Sequence, residues 1–102
     1  MGAEGTPGET FEREHGCTEE EWLHNLRGAA GTHALTLLPP GRACVQVGAG
    51  QLHLQWHVLA PRRIALVRIP RLAVNYRFDD VEHRQRAEFM RYFDLYMHRG
   101  GG

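Results

Sequence analysis

Between residues 43 and 78 this chain places apolar side chains at every second position, a period of two that suits a β-strand and not a helix. Segments 43–48, 51–59, 63–69 and 72–78 carry the alternation, parted by Ala49-Gly50, Ala60-Pro61 and Pro70-Arg71. Spacers this short join neighbouring strands as hairpins, so the segments are expected to form an antiparallel meander. A two-residue loop dictates which residues face each other, and cross-strand partners share a face of the sheet. On that rule Val47 meets Leu52, Val45 meets Leu54 and Ala43 meets Trp56. Trp56 then meets Ala65, while Ile69 meets Leu72, Val67 meets Val74 and Ala65 meets Tyr76. Every pair is apolar on both sides, so three loops agree on one apolar face. Pro70-Arg71 fits least well, because two-residue hairpin turns favour a positive φ that proline forbids, and a longer or bulged connection is expected there. Residues 33–38, stopped by Pro39-Pro40-Gly41, read as a further short strand.

Helical signals flank this region. Thr18 followed three residues later by Glu21 forms a capping box, and Glu19 and Glu20 add negative charge at the positive end of the helix dipole. Trp22, Leu23, Leu26, Ala29 and Ala30 then make one apolar stripe, with Gly31 as the stop. Trp22 is read as core packing in preference to a ligand anchor. A second helix is predicted over 81–98, with Asp80 as N-cap. Its Phe89, Met90, Tyr92, Phe93, Tyr96 and Met97 cover roughly 160° of the circumference, and this stripe is expected to lie on the apolar sheet face. The fold class is therefore α+β: a four- or five-stranded antiparallel β-meander with an N-terminal helix and a C-terminal amphipathic helix packed on the sheet.

A length of 102 residues suits one domain. Residues 1–16 are rich in Gly, Glu, Thr and Pro, with Phe11 the one large apolar side chain after Met1, too little to offset the entropy of ordering, and are expected to form a disordered acidic tail. The single α+β domain then spans 17–99, and 100–102 is a frayed glycine end. Nothing approaches 18 uninterrupted apolar residues, and the acidic N-terminus is unlike a signal peptide, so a cytoplasmic location is expected. Met1-Gly2-Ala3-Glu4-Gly5-Thr6 matches the N-myristoylation pattern, a short motif common by chance, and no membrane partner is expected.

The formal net charge is zero but unevenly spread. Residues 1–21 hold seven glutamates against one arginine, and the remainder eleven arginines against five acids. Residues 42–77 contain six arginines and no acid, and the chain has no lysine, read as a GC-rich, bacterial coding bias before any functional preference.

Catalytic signatures are weak. The chain contains no serine, and Cys44 in a strand, with His53 and His57 diagonal to it across Gln55, reads as an inert thiol. His53 and His57, four apart on a strand, lie about 13 Å from each other, too far to share a zinc ion. His15-Gly16-Cys17 is a weak half-site with no partner ligands, and Cys17 and Cys44 fit neither a disulfide scaffold nor a zinc site. The glycines at 28, 31, 48 and 50 match no phosphate-binding pattern and read as helix-end and turn residues. No catalytic or metal-ligating residue, no cofactor and no small-molecule substrate is assigned.

The predicted pairing also defines a second sheet face, with rows Gln46, His53, Arg68, Ala73; Cys44, Gln55, Leu66, Asn75; and His57, Ile64, Arg77. Leu66 and Ile64 stand in its middle, where adjacent large aliphatics need a cover: the N-terminal helix through Trp22 and Leu26, or a second subunit. The candidate interaction surface is Leu66, Ile64, His53, Arg68, Arg71 and Arg77. The function it suggests is a non-enzymatic protein-interaction or dimerisation module, the partner being an unknown protein or a second copy. The alternative is a nucleic-acid-binding domain using Arg68, Arg71, Arg77 and His53, with the acidic N-terminal segment able to fold back as a mimic of phosphate. Against that alternative, the second face has no aromatic ring to stack a base.

Overall fold

The structure of the chain, a computed structural model, describes residues 9–100. The elements run β1 (Thr10–His15), α1 (Glu19–Ala29), β2 (Leu35–Leu38), β3 (Arg42–Val47), β4 (Gly50–Ile64), β5 (Val67–Asp79) and α2 (His83–Gly100). One antiparallel sheet of five strands holds them in the order β1-β5-β4-β3-β2, with both helices packed on it: the expected α+β class.

The alternation fixes the faces correctly over 43–56 and 72–78, but misplaces Ala65 and Val67, which are exposed, and the loops. The β3–β4 turn is Gly48-Ala49, with Gly48 at φ 59°, so Val45 pairs with Leu52 and Ala43 with Leu54. That register is two residues from the expected one, and a shift of two leaves every side chain on its face. Further along, β4 runs through the expected 51–59 strand and its spacer to Ile64, the turn is Ala65-Leu66, and the expected strand 63–69 is split by it, residues 67–69 opening β5. Ala65 takes the positive φ, 54°, that a two-residue hairpin turn asks for. Pro61 and Pro70 fall where the β4–β5 register shifts between Leu59 and Arg62, a bulge that needs fewer ladder donors. Trp56 therefore pairs with Val74, and Val67 faces solvent.

Residues 10–15 are strand and not a disordered tail. β1 lies along β5 with Phe11 opposite Tyr76 and His15 opposite Leu72. Phe11 stacks on the Tyr76 ring at 4.8 Å between centroids, and Arg13 sits over both rings. The remainder of the expected tail, residues 1–8, lies outside the described residues, as do residues 101–102 of the expected frayed end; Gly100 closes α2.

Both helices cover one face of the sheet. α1 starts as expected: the Glu21 amide donates to the Thr18 hydroxyl, and the Thr18 amide donates to the Glu21 carboxylate. Trp22 packs edge-on against Trp56 at 5.6 Å and lies 6.3 Å from Phe93. Phe93 meets Tyr76 at 5.9 Å, and Phe89 meets Phe78 at 6.2 Å. The expected cover of the second face by Trp22 and Leu26 is thus overturned, because both side chains are buried between α1, α2 and the opposite face. α2 begins at His83, and Asp80 is not its cap: it sits at φ 56°, while the Arg86 amide donates to the Glu82 carbonyl to close the first turn. Phe89, Met90 and Phe93 are buried, whereas Tyr92 and Tyr96 remain partly exposed where α2 passes α1. Gly28 makes that crossing close, since a Cβ there would fall on the Tyr96 ring.

Candidate interaction surface

β4 and β5 outrun their neighbours. β3 pairs with β4 only as far as Gln55, and β1 pairs with β5 only as far as Leu72. Residues 57–71 therefore form a two-stranded arm held by its own hairpin, extending past the body of the sheet. Its apex is Ala65-Leu66. Leu66 is fully exposed, and Val58, Ile64 and Val67 are 66, 53 and 57 % exposed. Large aliphatic side chains clustered in solvent mark interaction sites more often than scattered single ones do.

The arm also carries Arg62, Arg63, Arg68 and Arg71 with no acid. Arg71 at the base is anchored: its Nε and one terminal nitrogen each donate to the Glu14 carboxylate at 2.9 Å, and the other donates to the Ala60 carbonyl at 3.1 Å. Arg62 approaches the same carboxylate at 3.5 Å. The Arg71 guanidinium holds the Glu14 carboxyl below its ordinary range. Among the described residues no carboxylate lies within ion-pair distance of Arg63 or Arg68.

Beside the start of α1 the helix-bearing side of the arm is uncovered. A groove of about 400 Å³ opens there between Cys17, Val58, Pro61 and Pro70, with Glu19 and Arg68 on its rim. Trp56 Nε1 donates to Glu19 at 2.8 Å, so that carboxylate is held in place. Burial pushes the Cys17 thiol up, and it stays protonated at neutral pH.

No protein-family model, curated protein or solved structure matches this chain.

The six expected surface residues divide between two places. Ile64, Leu66 and Arg68 belong to the arm near its tip, and Arg71 to its base. Ile64 and Leu66 are not in the middle of the second face, because the turn between β4 and β5 lies at Ala65-Leu66. His53 and Arg77 stand side by side on the open face of the sheet and share Asp79, at 3.1 and 2.6 Å. That face is polar: Thr10, Gln55, Asn75 and Arg42 surround a shallow depression of about 340 Å³. Cys44 lies opposite His53, not Gln55, and burial, its first cause, pushes the thiol up although Arg77 pulls it down. A thiol kept protonated is a poor nucleophile. Among the described residues no three His, Cys, Asp or Glu side chains gather to hold a metal ion, and no helix is long and apolar enough to cross a membrane.

Sequence reasoning missed Glu14 and Asp79 as partners of the arginines. The charges were visible, but Glu14 reaches Arg71 only because β1 docks beside β5, a pairing between segments about 60 residues apart, and Asp79 reaches His53 only through the β4–β5 register, although it stands two residues from Arg77 on the same strand.

Proposed function

We propose that the chain is a non-enzymatic interaction module that self-associates through the tip of its β4–β5 arm. The observation that carries this reading is the full exposure of Leu66 at the apex of a hairpin that holds Ile64 and Val67 beside it in solvent. Burying one such aliphatic side chain contributes roughly 2 kcal/mol. The nucleic-acid alternative draws less support from the geometry. Arg71 and Arg77 are engaged by Glu14 and Asp79, which leaves Arg63 and Arg68 as the arm's arginines without a carboxylate partner.

Sedimentation velocity over a wide concentration range tests the proposal. The wild-type chain is expected to associate, and Leu66→Glu to shift it to monomer without altering its thermal melting. A chain that sediments as monomer throughout refutes self-association. Salt-sensitive shifts of RNA or DNA, lost in Arg63→Glu and Arg68→Glu, would restore the alternative.

A further inference from the structure

The last rungs of the arm sort their side chains by distance from the apex. Ile64 pairs with Val67 next to the turn, and Arg63 pairs with Arg68 one rung behind. Residues 62–68 are all exposed, so the arm ends in an aliphatic cap, Ile64, Leu66 and Val67, above a collar of Arg62, Arg63 and Arg68. Arg63 and Arg68 are like charges set directly opposite each other, an unfavourable cross-strand pair. Among the described residues no carboxylate comes within ion-pair distance of either. An anion from outside relieves such a pair, and guanidinium groups match phosphate in geometry as well as charge.

The cap decides which phosphate. A free phosphate or a nucleic acid would answer the arginines and leave Leu66 in solvent. A second tip would cover Leu66 and leave the collar unanswered. An anionic bilayer offers both surfaces at the right spacing. Leu66 lies two residues beyond Arg68, about 7 Å of extended chain. Apolar side chains of interfacial elements reach roughly 5–10 Å into the boundary between headgroups and acyl chains. The cap is also convex: a protein partner would need a matching cavity, whereas lipid packs around it. Both outer edges of the arm lack a neighbouring strand, and unpaired backbone groups do not enter hydrocarbon, so insertion stops at the turn and its flanking rung.

We propose that the tip of the β4–β5 arm inserts into the interface of an anionic membrane, with Leu66, Ile64 and Val67 at the acyl boundary and Arg63 and Arg68 on lipid phosphates. The inference goes beyond self-association and competes with it for the same tip. It revises the expectation of no membrane partner, which looked for a long apolar run; here a turn gathers the apolar residues instead.

Flotation with vesicles tests it. The chain is expected to float with mixed phosphatidylglycerol and phosphatidylcholine, to stay behind with phosphatidylcholine alone, and to detach as salt rises. Leu66→Glu is expected to lower the partition coefficient by roughly tenfold or more, and Arg63→Gln and Arg68→Gln by about fivefold each. These positions are exposed, and thermal melting of each variant serves as the folding control. In Leu66→Trp the new indole is expected to shift its emission to the blue on the anionic vesicles, against a steady background from the buried Trp22 and Trp56. Absence of flotation overturns the inference. Flotation that Leu66→Glu leaves intact, with no blue shift, overturns it too, because charge alone then holds the chain to the surface. If vesicles are ignored while a short RNA is bound equally by wild type and Leu66→Glu, the collar reads nucleic acid and the inference falls. Sedimentation velocity scores self-association separately. A chain that floats yet stays monomeric in solution keeps the membrane and loses the dimer, and a dimer that never floats does the reverse.

Discussion

His15 and Tyr76 share a hydrogen bond of 2.9 Å between imidazole Nε2 and phenol oxygen, and burial decides which of them carries the proton. Burial pushes the Tyr76 phenol far above its ordinary value, so it stays protonated and donates. The same cause, with Arg13 nearby, pushes the His15 imidazole down, so the neutral ring accepts; Asp94 opposes this weakly. The folded chain therefore takes up a proton on His15 less readily than the unfolded chain does. Stability contributed by this group is present above the ordinary histidine value of about 6.5 and is lost as pH falls below it. The urea midpoint is expected to drop between pH 7.5 and 5.5, and to drop less in His15→Gln, whose amide oxygen can still accept from Tyr76. Glu14, held low by Arg71, acts with the same sign but only in the carboxylate range, below this window, and the His15→Gln comparison separates His15 from the other histidines. An equal drop in the variant would remove His15 as the cause.

Gly50 begins β4 buried against the end of β5, where an added Cβ would fall on the backbone carbonyls of Asp79 and Asp80. Backbone on both sides leaves nothing free to swing aside. Gly50→Ala is expected to cost roughly 2–3 kcal/mol in chemical denaturation, the range of overpacked sites. Gly16→Ala is the contrast: its Cβ would meet Ile69 at an ordinary 3.8 Å, and the change is expected to be neutral or slightly stabilising. Equal effects at the two glycines would show that the close approach at Gly50 is not what matters.

Much of the fold is legible because a period of two is insensitive to errors of two. Val45, Leu52, Leu54, Val74 and Tyr76 are buried on one face although their expected partners are displaced, and the capping box at Thr18 is local enough to read directly. The turn at Ala65-Leu66 was hidden because neither residue is a usual turn former, while Pro61 and Pro70 imitate strand ends. Proline breaks a strand by withholding a ladder donor, and in an arm with two free edges and a bulge few donors are needed. β1 was hidden for another reason. Its inward side is Phe11, Arg13 and His15, so the apolar alternation is absent, and its attachment is made by long-range side-chain contacts to Tyr76, Asp94 and Arg71.

The surface was legible in part for the same physical reason. Ile64 and Leu66 stand out from sequence as aliphatic side chains outside the apolar face. Their position follows from where β4 turns, so they moved from the middle of a sheet to the end of an arm. The groove by Val58 was not legible at all, because it exists only where α1 stops short of the arm.

Arg13 of β1 donates to Asp94 of α2, bridging the edge strand and the closing helix. The pair is part-exposed, and contacts of this kind contribute about 1 kcal/mol or less. Asp94→Asn is expected to lower stability by that amount at low ionic strength, and by less in molar salt. Arg13 would keep its place over the Phe11 and Tyr76 rings, 5.1 and 5.4 Å from their centroids, so the loss should stay small. A double-mutant cycle with Arg13→Met measures the coupling, and a coupling of zero would mean that ring packing alone holds β1.

The arm should open more readily than the sheet from which it grows. In the sheet, β4 and β5 are flanked by β3 and β1 and covered by Trp22, Phe89 and Phe93; in residues 57–71 each has only the other, with Val58, Ile64 and Val67 in solvent. Local opening requires few apolar contacts to be broken there, so amide protons of 62–69 are expected to exchange with deuterium well before those of 51–56 and 72–78 in the monomer. Raising the protein concentration supplies the partner surface, and exchange in the arm should then slow while the sheet is unchanged. Protection in the arm equal to that of the sheet at low concentration would contradict the picture of an unsupported hairpin. Protection that never responds to concentration would mean that nothing covers the tip in solution.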